Sequence, residues 1–201
     1  YALEQFGKRV GLLGDFNGDS LTDFMIASPS ANRMGRTKCG VVAVVFGTPG
    51  HMRSLNLTFP AGSAGFRITG EANNLYIGDI VSGAGDINSD GFDDIIVGVP
   101  DFGAVVLRMG RAYIIFGNNN TPADIDLSTF MTGSKGVVIT CTIGSSSLGS
   151  SVAAAGDVDG DGFDDVIVSA GEAAYDNSRL SAGKVFVILG RANFTEDIVT
   201  D

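Results

Sequence analysis

In the stretch Gly156-Asp157-Val158-Asp159-Gly160-Asp161-Gly162-Phe163-Asp164-Asp165, carboxylates fall at loop positions 1, 3, 5 and 9: Asp157, Asp159, Asp161 and Asp165. Four carboxylates this close repel one another unless a cation lies among them. An all-oxygen set on an irregular, glycine-containing loop suits a hard ion, and calcium better than strictly octahedral magnesium. Phe163, at position 7, would add its backbone carbonyl. The first half reads like an EF-hand loop, which needs a bidentate Glu at position 12 and an exiting helix. Position 12 here is Val168, inside the β-branched run Val166-Ile167-Val168. The loop therefore closes on Asp165 and feeds a strand.

The pattern recurs twice upstream. The first copy offers Asp15, Asn17, Asp19, the Leu21 carbonyl and Asp23; the second offers Asp86, Asn88, Asp90, the Phe92 carbonyl and Asp94. Asp15, Asp86 and Asp157 are each 71 residues apart, the mark of a structural repeat. Up to three calcium ions are expected. Position 6 is Gly91 and Gly162 in the second and third loops but Ser20 in the first, so the first loop should bind more weakly.

The loops account for the charge. They hold 12 of the 23 acidic residues, and three Ca²⁺ would bring the formal −10 to about −4, ordinary for a soluble domain. Lys and Arg number 13 and are scattered, which disfavours nucleic acid as a partner. No apolar run approaches the ~20 residues of a membrane span. The two cysteines, Cys39 and Cys141, sit at non-equivalent repeat positions and read as buried free thiols. His51 is the only histidine and follows a Thr-Pro-Gly turn, so no zinc cluster or nucleophile motif supports catalysis.

Around each loop the chain reads as short strands. Residues 6–14, 77–85 and 148–156 form strand A: an apolar residue, Gly, then mostly small side chains, as suits a strand crowded around a central axis. Strand B (24–28, 95–99, 166–170) is apolar on successive residues and expected to be buried on both faces. Strand C (41–46, 111–116, 184–189) is bracketed by glycines, and strand D covers 66–69 and 137–140. Before strand D, residues 55–59 and 125–130 should cover a blade edge. The third copy reaches Asp201 before any strand D. Four short antiparallel strands at this period give an all-β fold of β-propeller blades, at 1–76, 77–147 and 148–201, the last incomplete.

These residues resemble the FG-GAP repeat family, which includes the N-terminal propeller of integrin α chains. Phe6-Gly7 matches the "FG", with Ile77-Gly78 and Leu148-Gly149 as relaxed versions; Ala27-Ser28-Pro29, Gly98-Val99-Pro100 and Ser169-Ala170-Gly171 stand at "GAP". The loops match best, at the family's positions 1, 3, 5, 7 and 9. The resemblance implies that the chain is a three-blade piece of a seven-bladed propeller, whose missing blades are partners. It implies calcium in the A–B loops of one rim and a protein or glycan ligand on the opposite rim. The function it implies is non-catalytic adhesion or recognition, extracellular or at the cell surface. The alternative is the propeller portion of a larger secreted enzyme, like glycosylphosphatidylinositol-specific phospholipase D.

Overall fold

The computed structural model describes residues 5–50, 64–100, 109–120, 124–174 and 182–201. In chain order the strands are β1 (Arg9–Gly14), β2 (Asp23–Ser28), β3 (Val41–Val45), β4 (Gly65–Thr69), β5 (Val81–Gly85), β6 (Asp94–Val99), β7 (Arg111–Ile115) and β8 (Ile125–Asp126). After a single 3₁₀ turn at Leu127–Thr129 come β9 (Gly136–Cys141), β10 (Leu148–Gly156), β11 (Asp165–Ala170), β12 (Lys184–Ile188) and β13 (Ile198–Thr200). Among the described residues there is no α-helix, and none of the structure is a helix long and apolar enough to cross a membrane. The all-β blade reading holds. The segment 55–59 and His51 lie outside the described residues.

Two compact units divide the chain: residues 1–79 with 117–130, and residues 80–116 with 131–201. In the first, β1-β2-β3-β4 form an antiparallel sheet, and β8 adds a fifth, parallel strand on the β4 edge. The four-stranded blade therefore needs one addition, a strand lent by the next repeat. The segment expected to cover a blade edge does so by hydrogen-bonding to it, and it covers the preceding blade. A sheet edge left open is a site for stray pairing, and a short parallel strand satisfies those groups.

Charge holds β8 in place. Arg36 forks onto Asp126, with Nη1 2.8 Å from Oδ1 and Nη2 2.5 Å from Oδ2, and Nη1 also donates to the Gly70 carbonyl. Arg33 pairs with Asp124, and the Arg67 N–H donates to the same carboxylate at 2.9 Å. Asp126 in addition caps the 3₁₀ turn, accepting from the Ser128 N–H. In the same unit, Phe16 packs on Phe66 with ring centroids 5.3 Å apart, and Phe46 lies against the same ring.

The second unit repeats the plan. Its larger sheet runs β5-β6-β7-β9, with β13 parallel on the β9 edge, and its smaller one runs β10-β11-β12. The smaller sheet has three strands among the described residues. β10 lies across β5 and β6. There Ile96, Ile114, Val137 and Ile139 bury against Val166, Val168 and Leu148 in one core, each side chain contributing roughly 1.5–3 kcal/mol. The sheets meet so closely that a Cβ on Gly98 would lie 2.2 Å from the Gly149 carbonyl oxygen. Both cysteines are buried and free.

Two expectations need correction. Strand A is not crowded along its length: Val10 and Leu12 on β1 are 70% and 75% exposed, and Ser151, Ala153 and Ala154 on β10 are exposed too. It lies at a sheet edge, open along β1 and β10 but closely approached on β5, where Ala84 is fully buried and a Cβ on Gly85 would lie 2.2 Å from Asp164 Oδ2. Strand B is buried on both faces in β6, but Ile167 and Ser169 of β11 are only half-buried. In that sheet one face is covered by the second blade and the other is not.

The Arg36 fork makes a testable pH dependence. The guanidinium hydrogen bond, partly offset by burial, holds the Asp126 carboxyl down from 3.8 to about 2. A depressed folded pKa contributes stability above the unfolded value that is lost as pH falls through the folded one. The pair should therefore lose about 1 kcal/mol between about pH 4 and pH 2, after allowing for solvent screening. In urea titrations across that window, Arg36→Ala should lose less stability than the parent chain. Equal losses would show that the fork contributes nothing.

Candidate metal loops

Each acidic loop is the tight connection of an A–B hairpin: β1 to β2, β5 to β6, β10 to β11. Every pair carries a register shift at its loop end, between Leu12 and Gly14, Gly83 and Gly85, and Ala154 and Gly156. That bulge lets the chain turn and places position 1 at the head of the loop.

The position-1 carboxylates organise the turn. Asp15 accepts from the Asp19 and Ser20 N–H groups at 3.0 and 2.8 Å, and Asp86 accepts from Asp90 and Gly91 at the same distances. Asp157 accepts from Gly160, Asp161 and Gly162 at 2.7, 3.1 and 2.9 Å. The Gly162 N–H leads the contacts that hold the Asp157 carboxyl below its ordinary range. Position 5 continues the spiral: Asp19, Asp90 and Asp161 accept from Leu21, Phe92 and Phe163. Ser20 holds φ at +66°, where Gly91 and Gly162 have +90° and +93°. A serine there carries strain that glycine does not.

Position 3 separates the loops. Asn17 and Asn88 accept from the position-5 N–H and donate Nδ2 to the position-5 carboxylate, each at 3.0 Å. In the third loop Asp159 keeps the first bond, at 3.2 Å, but has no amide to give Asp161. Burial first, and then the neighbouring Asp161 charge, push the Asp159 carboxyl up. Ligand oxygens of Asp157, Asp159 and Asp165 converge within 4.8 Å of one another. Asp161 stands outside that trio. Three convergent carboxylates, one of them destabilised as an anion, fit a hard divalent cation.

Position 9 does something that spacing alone does not reveal. Asp23, Asp94 and Asp165 are fully buried. Asp165 accepts from Val158 N–H within the loop and from Gly190 N–H beyond β12, both at 2.8 Å. Asp23 accepts from Phe16 and Gly47 at 3.0 and 2.8 Å, and Asp94 from Ile87 at 3.0 Å. This carboxylate pins position 2 and ties the loop to the end of strand C. Burial raises the Asp23 carboxyl, and those two backbone donors pull it back. The recurrence of Gly47 and Gly190 after strand C was the available sequence signal.

With this geometry in view, comparison with known proteins defines the class. The FG-GAP repeat model matches residues 78–115 and 148–188, which span the second and third loops with their strands. Integrin alpha-5 of Xenopus laevis is 30% identical over 194 residues, 92% of this chain and 15% of that protein. Integrin alpha-8 of Gallus gallus is 28% identical over 185 residues, 90% of this chain and 15% of its own length. Phosphatidylinositol-glycan-specific phospholipase D of Rattus norvegicus is 25% identical over 188 residues, 93% of this chain and 21% of that protein. The chain carries FG-GAP repeats and is similar to integrin α chains over about 90% of its residues. It spans about 15% of the length of the integrin α chains it matches.

The two roles of carboxylates can be separated in the absence of metal. Asp165→Ala leaves the Val158 and Gly190 N–H groups without their acceptor and should cost about 2–4 kcal/mol. Asp159→Asn restores the asparagine of the other loops and should not lower the melting temperature. Both are to be compared with the parent by thermal unfolding in chelator. An Asp165→Ala protein that melts with the parent would refute the structural role of position 9.

Proposed function

We propose that this chain is a calcium-binding, non-catalytic β-propeller module of an extracellular or cell-surface adhesion or recognition protein. The convergence of Asp157, Asp159 and Asp165 in a loop whose plan recurs twice carries the reading. Similarity to integrin α chains over about 90% of the residues supports the adhesion class. The ions would be held by Asp15, Asn17, Asp19, Leu21 O and Asp23; by Asp86, Asn88, Asp90, Phe92 O and Asp94; and by Asp157, Asp159, Asp161, Phe163 O and Asp165. A bound ion supplies charge compensation. The residues themselves fix the turn and join it to strand C.

A protein or glycan ligand would engage the opposite ends of the blades, with further blades of the same parent as partners. The second reading rests on the phospholipase D similarity: the module would be the propeller of a larger secreted enzyme. In that case the catalytic groups come from outside this chain, whose single histidine cannot form a metal cluster with others.

Ligand that binds only the folded state stabilises it by about 2.7 kcal/mol at a hundredfold excess over Kd. For a domain of this size that corresponds to a rise of roughly 5–10 °C in Tm. Scanning calorimetry in millimolar Ca²⁺ and in chelator should show it. Superimposable curves would refute calcium binding.

A further inference from the structure

Neighbouring loops are joined by their backbones. In the second unit, the carboxylate of Asp164, at position 8 of the third loop, accepts the N–H of Asp86, at position 1 of the second, at 2.9 Å. The Asp164 N–H returns to the Asp86 carbonyl at 3.2 Å. One residue after the Gly190 N–H that Asp165 holds, the Arg191 N–H donates to the Ile87 carbonyl at 2.9 Å. Ile87 in turn gives its own N–H to Asp94. The two position-9 carboxylates are thus linked through Gly190, Arg191 and Ile87, and a second link runs from Asp164 to Asp86. Gly190 is wedged in this joint: a Cβ there would lie 2.4 Å from the Asp164 carbonyl oxygen and 2.7 Å from that of Ile87. The same docking occurs in the first unit, where the Asn118 N–H donates to the Phe16 carbonyl at 3.0 Å.

We propose that the second and third loops bind divalent cations as a coupled pair, in which loading the third loop raises the affinity of the second. This rests on the calcium reading above. Closing the third loop fixes Asp164 and Asp165 together, because they are consecutive. Asp164 then holds the backbone of Asp86, and Gly190–Arg191 holds Ile87, so the second loop is ordered before its own ion arrives. A second ligand that finds its site already ordered loses less conformational entropy on binding. Asp164 acts on the second loop as a positioning residue. The paired aspartates at positions 8 and 9 thereby have separate tasks, one between loops and one within the loop.

The test is a calcium titration of the full chain followed by amide NMR, with Gly91 reporting the second loop and Gly162 the third. Silencing the third loop with Asp161→Ala, an exposed position, should weaken the second-loop midpoint about fivefold, near the low end of measured couplings. In an Asp164→Ala background, the same silencing should leave that midpoint unmoved. Asp164→Asn, which keeps an oxygen acceptor, should retain the coupling. The dispersed amide spectrum of each variant reports whether it folds, and should Asp164→Ala not fold, the Asp161→Ala comparison alone decides. If both glycines titrate but the second-loop midpoint ignores Asp161→Ala, the coupling is overturned and calcium binding stands. If neither glycine responds to calcium, both readings fall.

Discussion

One buried aspartate per repeat holds the described fold together at its working end. Asp23 and Asp165 each accept one backbone N–H from their own loop and one from the residue after strand C. Without that carboxylate the A–B turn and strand C would end side by side with buried donors facing nothing, a cost of about 1–3 kcal/mol for each. The more exposed side chains at positions 1, 3 and 5 do a different job. They wind the loop by taking its N–H groups, and in the third loop oxygens of Asp157 and Asp159 converge with one of Asp165. The same side-chain type thus serves two structural tasks: buried at position 9 it ties the loop to strand C, and at the other positions it winds the turn.

The first two repeats are each completed by their successor. β8 seals the edge of β4, and β13 seals that of β9. In the first case the seal is charged, through Arg36 on Asp126 and Arg33 on Asp124. In the second it is made by hydroxyls, with Thr132 donating to Asp197 at 2.5 Å and Thr200 to the Thr140 carbonyl at 3.1 Å. Position 2 of each loop follows the same logic. Phe16 and Ile87 are buried where the succeeding segment docks, while Val158 is 56% exposed and has no such segment among the described residues. The exposed Val185 and Val187 of β12, with Leu189 just after it, match the buried Ala112, Ile114 and Phe116 of the preceding repeat. Stacked repeats bury their faces only against neighbours, so this asymmetry is intrinsic to the architecture.

Much of this was legible in the sequence because the repeat averages out local ambiguity. The 71-residue interval located the loops, the successive apolar residues located β2, β6 and β11, and bracketing glycines located β3, β7 and β12 within a residue. Four things were not legible. β8 and β13 are two and three residues long and pair with a different repeat, so neither periodicity nor local propensity marks them; only the matching Asp124-Ile125 and Asp197-Ile198 hinted at equivalence. The Arg36–Asp126 fork joins residues 90 apart, beyond any local rule. Small residues in strand A suggested crowding, but small size is equally at home on an open edge, as Ala153 and Ala154 show. In the loops, spacing identified the oxygens and could not say which would be buried, because Asp164 and Asp165 are adjacent and chemically identical.

The account stands on the claim that one carboxylate serves both the fold and the ion. A crystal structure of the chain grown in calcium tests it most directly, with the anomalous signal identifying the ion. The account predicts an ion in the third loop at about 2.3–2.6 Å from oxygens of Asp157, Asp159, Asp161, Phe163 and Asp165, with Asp165 still accepting the Val158 and Gly190 N–H groups. A loop that stays metal-free in millimolar calcium, or an ion bound only after Asp165 has let go of Gly190, would contradict it.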